Sequence, residues 1–113
     1  LAMQCGVVLL AQAHRRCDVR DWPAPQMADA KETSAIEEYS DKMLSVCLPK
    51  VYGLTSLEQG RMSYPVPPEG DLLILSLLKQ KGGEAGARFF LQVDYGKNTL
   101  RPYPNYQPSR RTR

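Results

Sequence analysis

Two hydrophobic periods run along this chain. In residues 87–95 apolar and polar positions alternate: Ala87, Phe89, Leu91, Val93 and Tyr95 fall on one side, Arg88, Phe90, Gln92 and Asp94 on the other. A repeat of two belongs to a strand with one face covered, and the first set is the natural one to bury. In residues 27–48 the spacing is three and four. Ile36, Tyr39, Met43 and Val46 or Cys47 fall on one stripe, as in an amphipathic helix. Ser34 with Glu37, or Asp29 with Glu32, offers a helix start, and Pro49 forces the stop.

Residues 71–79, DLLILSLLK, form a continuous apolar run whose period suits either a strand or a short helix. The glycine-rich stretch at 82–86, placed between this run and the alternating one, favours an antiparallel hairpin of two strands. Residues 96–98 predict a second turn. Residues 99–103 predict a returning strand that Pro102 confines to a sheet edge. Prolines punctuate residues 50–70, leaving room for short strands near 51–54 and 61–64, and residues 18–25 read as a turn-rich connector in which Trp22 covers an edge of the core. The final stretch, RPYPNYQPSRRTR, is rich in proline and arginine, buries little, and predicts an extended or disordered tail.

These elements assemble into an α+β fold: one long central helix packed on a small antiparallel sheet, the C-terminal hairpin, with an extended basic tail. The helix stripe and the Phe89, Leu91 and Val93 face have only each other to bury against. The predicted organisation is residues 1–13 as a signal-peptide remnant or short apolar helix, 14–100 as one domain, and 101–113 as the tail.

Composition narrows the class. At 42% hydrophobic and 24% charged residues the 113-residue chain is globular, and its size suits one domain. No stretch reaches the ~20 apolar residues of a membrane-spanning helix. The charge of +3 is unevenly placed: residues 99–113 contain Arg101, Arg110, Arg111 and Arg113 and no acid, so the rest is near neutral.

The opening stretch bears on the compartment. Gly6 to Leu10 leads into Ala11-Gln12-Ala13, an apolar run followed by the small residues of a signal-peptidase site. This reading places the protein in the periplasm or outside the cell, where Cys17 and Cys47 would form a disulfide. The alternative is a cytoplasmic protein in which they stay thiols. Cys5, His14 and Cys17 match no familiar zinc spacing and lack a fourth ligand, so no metal is expected. His14 is the only histidine, and no nucleophile, base and orienter come together in the sequence. Residues 81–88 have glycines without phosphate-loop spacing. No catalytic residue and no cofactor is assigned.

The leading functional expectation is a non-enzymatic binding or adaptor domain with a protein partner. It would act through an exposed sheet face around Arg88, Phe90 and Gln92, or through an open sheet edge. A second is nucleic-acid association through the tail, where Arg101, Arg110 and Arg111 interleave with Tyr103 and Tyr106, residues that neutralise phosphate and stack on bases. A third is a small hydrolase-like enzyme on the same scaffold.

Overall fold

The computed structural model describes residues 6–10, 24, 26 and 39–110. Among these the architecture is antiparallel β, with no helix of seven residues or more. The strands are β1 (Lys42–Cys47), β2 (Ser56–Gln59), β3 (Met62–Pro65), β4 (Leu72–Gln80), β5 (Arg88–Asp94), β6 (Thr99–Pro102) and β7 (Ser109–Arg110), with a 3-10 turn at Pro49–Tyr52. They form a four-stranded sheet in the order β1-β4-β5-β6 and a three-stranded sheet in the order β2-β3-β7.

The expected α+β plan is therefore corrected. Residues 42–47, read as the last turns of a long helix, are a strand; residues 27–38 of that segment lie outside the described residues. The physical reason is that KMLSVC satisfies both periods. Read by threes and fours it offers Met43 and Val46; read by twos it puts Ser45 and Cys47 inward and Leu44 and Val46 outward, which is the pattern observed. The decision comes from β4. A nine-residue strand with one neighbour would leave a row of backbone groups unpaired, and β1 satisfies them, from Lys42 opposite Gln80 to Cys47 opposite Ile74, with a register shift between Met43 and Leu44. Pairing outside the segment overrides a weak local preference.

The C-terminal hairpin is present as predicted. β4 and β5 pair from Leu72 opposite Gln92 to Ser76 opposite Arg88, and β6 adds to β5 with Gln92 opposite Arg101. β6 is an edge strand, consistent with Pro102, and Asn98 at φ 52° supplies the left-handed turn before it. A strand also forms near 61–64, as β3, whereas residues 51 and 52 belong to the 3-10 turn.

The inner faces of the two sheets meet in the core. Leu57 and Tyr64 come from β2 and β3; Cys47, Leu72 and Ile74 come from β1 and β4. Ala24 is also buried there, while Trp22 lies outside the described residues. Ser45 and Ser76 face each other across β1 and β4, both buried, and neither hydroxyl has a hydrogen-bond partner among the described residues. Each such hydroxyl costs about 1–3 kcal/mol, so the β1–β4 pairing persists on backbone bonds and apolar burial.

The tail is extended, but it is docked on the fold and not free of it. After β6, the Tyr103 N–H donates to the Phe90 carbonyl at 2.9 Å; Asn105, at φ 54°, turns the chain; and β7 pairs with β3, Ser63 opposite Ser109 and Met62 opposite Arg110. Residues 103–108 thus strap one sheet to the other. The prolines keep the strap extended, and its tyrosines supply the apolar area that holds it down. Residues 6–10 carry no regular structure, and Val7, Val8, Leu9 and Leu10 are exposed.

Candidate functional site

The four-stranded sheet has two faces of different character. The alternation in β5 is real, but its orientation is the reverse of that predicted. Arg88, Phe90 and Gln92 point toward the second sheet, on the same side as Ile74, Leu72 and Ser76; Phe89, Leu91 and Val93 point away from it.

On the inner face a chain of rings crosses the gap between the sheets. Phe90 stacks on Tyr64 with centroids 5.6 Å apart and on Tyr106 at 4.7 Å, and Tyr106 meets Tyr103 edge-on at 5.8 Å. Arg88 closes one end: its Nη1 donates to the Tyr64 hydroxyl at 3.3 Å, and its guanidinium lies 6.0 Å from that ring's centre. Tyr106 donates its hydroxyl to the Pro65 carbonyl at 2.7 Å, anchoring the strap to β3.

At the other end a polar cluster centres on Asp71. Its carboxylate accepts from the Tyr103 hydroxyl at 2.6 Å and from Gln92 Nε2 at 2.8 Å, and Arg101 Nε donates to Gln92 Oε1 at 2.6 Å. Burial pushes the Asp71 carboxyl up, but the bonds from Tyr103, Gln92 and its own backbone N–H, with Arg101 nearby, outweigh this and hold it below the ordinary value. Burial, then the hydrogen bond to the Asp71 carboxylate and its charge, pushes the Tyr103 phenol up to about 12. Burial first, then Tyr64 and Tyr103, raises Tyr106 as well.

The consequence for stability has a definite sign. A phenol raised from 10.0 to about 12 on folding favours the folded state fully below pH 10, and that contribution is lost as pH climbs through about 12. The lowered Asp71 contributes above the ordinary carboxylate range and loses its contribution as pH falls through its folded value. Tyr103→Phe is expected to cost about 1.5 kcal/mol at neutral pH by removing a hydrogen bond to a charged acceptor. It should also flatten, without abolishing, the fall in urea midpoint between pH 10 and 12, because Tyr106 remains. An alkaline limb identical to that of the unmodified protein would count against this assignment.

Most of the predicted binding residues therefore do come together, but as internal structure. Arg88, Phe90, Gln92, Tyr103 and Tyr106 join the two sheets or brace the strap. Arg101 is exposed on β6 and tied to Gln92. Arg110 is exposed on β7, and Arg111 lies outside the described residues. Cys47 is buried at the end of β1; Cys17, its expected partner, lies outside the described residues, as do Cys5 and His14.

The outer face was missed as a site. Across it run two rows, Val46–Leu75–Phe89 and Leu73–Leu91–Pro102, flanked by the pairs Leu44–Leu77 and Val93–Leu100. No charged residue occupies any of these positions. Leu44, Val46 and Leu100 are each 56% exposed and Phe89 is 49% exposed, so the patch is open to solvent where a sheet face ordinarily is polar or covered. A signal for it exists in DLLILSLL: a strand apolar on both faces calls for a cover on both, and the three-stranded sheet covers one.

No protein-family model, curated protein or solved structure matches the chain, so its function is argued from these two faces.

Proposed function

We propose that this protein is a non-enzymatic binding module for a protein partner, working through the outer face of the β1-β4-β5-β6 sheet. The observation that carries the reading is the apolar character of that face from Leu44 and Leu77 across to Leu100 and Pro102, with Lys42 only at its corner, together with the half-exposure of Leu44, Val46, Phe89 and Leu100. Apolar area of this kind is a usual feature of protein contacts and a liability on a lone domain. The inner face supports a structural role instead. Its rings stack on one another, and Asp71 is engaged by its own neighbours. The tyrosines considered for base stacking turn into the protein, so the reading does not run through the tail. No helix among the described residues is long and apolar enough to cross a membrane.

The test is a photo-cross-linking amino acid, p-benzoylphenylalanine, placed at position 89 and, as a control, at Glu84 in the exposed β4–β5 loop. After irradiation in extracts of the source cells, position 89 is expected to yield protein adducts that position 84 does not. Equal or absent adduct formation at the two positions would show that proteins do not occupy this face.

A further inference from the structure

We infer that the occupant of the outer face is a second copy of this chain, the two four-stranded sheets stacking face to face about a two-fold axis. The inference rests on the binding reading above and names its partner.

Area is the first reason. Leu44, Val46 and Leu100 at 56% exposure and Phe89 at 49% lie together on one sheet face, an open apolar patch of several hundred Å², as large as the largest that monomers ordinarily leave open; two such patches stacked approach the roughly 1,200 Å² at which stable specific interfaces begin. Charge is the second. A two-fold axis brings each patch against itself, so any charge at its centre would meet its like; the rows from Val46 to Phe89 and from Leu73 to Pro102 contain none, and Lys42 stands at the far end of β1, outside them. Geometry is the third. Two copies of one twisted sheet have the same twist and pack in the aligned manner of β-sandwiches, about 10 Å apart, each β4 then covered on both faces as its sequence demands.

The sheet edges are poorer routes to association. The β1–β4 pairing is irregular, with Leu78 of β4 the extra residue between the pairs Met43–Lys79 and Leu44–Leu77, and β6 ends on Pro102, which has no N–H to offer a new strand. Irregular pairing and proline are devices that discourage strand addition. Association is thereby directed to the face.

The experiment is sedimentation equilibrium of the purified full chain alone, from about 1 to 100 µM, a range that reaches the weaker end of interfaces this size. The unmodified protein is expected to approach twice the chain mass. Phe89→Glu and Leu100→Lys, at half-exposed positions on different strands, are each expected to weaken self-association on the order of a hundredfold while keeping the β-sheet circular dichroism. With two variants on two strands, misfolding of one leaves the other to decide. A monomer throughout the range, or a dimer unaffected in a folded variant, overturns the inference. The two readings fail separately: position 89 cross-linking to other proteins, with no adduct at twice the chain mass, would retain the binding face and remove the second copy as its occupant.

Discussion

A chain ended at Leu100 is expected not to fold. By sequence such a truncation removes only a surface extension, since residues 101–113 combine prolines, arginines and tyrosines in a pattern that suits a solvated terminus. In the folded protein it removes the far half of β6, the Tyr103 and Tyr106 rings and all of β7. Two partly buried tyrosines are worth about 1.5–2 kcal/mol each in apolar burial. Their ring contacts with Phe90 and with each other add about 1 kcal/mol. The bonds from Tyr103 to Asp71 and from Tyr106 to the Pro65 carbonyl are lost too, and the β2–β3 hairpin loses its third strand. An isolated two-stranded hairpin is marginal in water. The total is on the order of 5 kcal/mol, comparable with the whole stability of a small domain. Circular dichroism on heating should show no cooperative transition. A sharp melt retaining the β signal would mean that the strap is dispensable.

Phe90→Ala and Phe89→Ala, one residue apart, are expected to differ severalfold in their cost to stability. Phe90 lies between Tyr64 and Tyr106 at the junction of the sheets, so its loss opens a cavity and unstacks both neighbours. We expect about 3 kcal/mol of destabilisation, below the value for a fully buried ring because Phe90 is only partly buried. Phe89, half exposed on the outer face, should cost under about 1 kcal/mol. Urea unfolding at about 1 µM, where self-association contributes least, measures both. Comparable losses at the two positions, or a larger one at Phe89, would mean that β5 faces the other way.

The two halves of this contrast show what local pattern can and cannot say. Alternation in 87–95 correctly separates two sets of side chains and correctly groups Arg88, Phe90 and Gln92. It cannot say which set is inside, because each contains a phenylalanine and a one-sided burial was assumed. The more apolar set, Phe89, Leu91 and Val93, is the open one. The inward choice was made by Tyr64 and Tyr106, residues 26 positions before and 16 after Phe90, whose rings reach only that side. The likeness of the tail to a disordered terminus has the same origin: proline content specifies an extended backbone, while the groove that receives it is built from β3 and β5.

Some features were determined by the amino-acid sequence alone. The β4–β5 hairpin, the turn at 96–98, the edge character of β6 and the breaks at Pro49 and through 65–70 follow from steric limits on a few neighbouring residues, and these act in any context. The strand at 42–47, the inward side of β5 and the docking of residues 103–110 depended on the tertiary structure. In each case two local conformations were close in free energy, and the difference was supplied by partners distant in sequence: the unpaired edge of β4, the rings facing Phe90, and the open side of β3. Burial and backbone pairing with distant segments outweigh the few tenths of a kcal/mol per residue by which local preference distinguishes such alternatives.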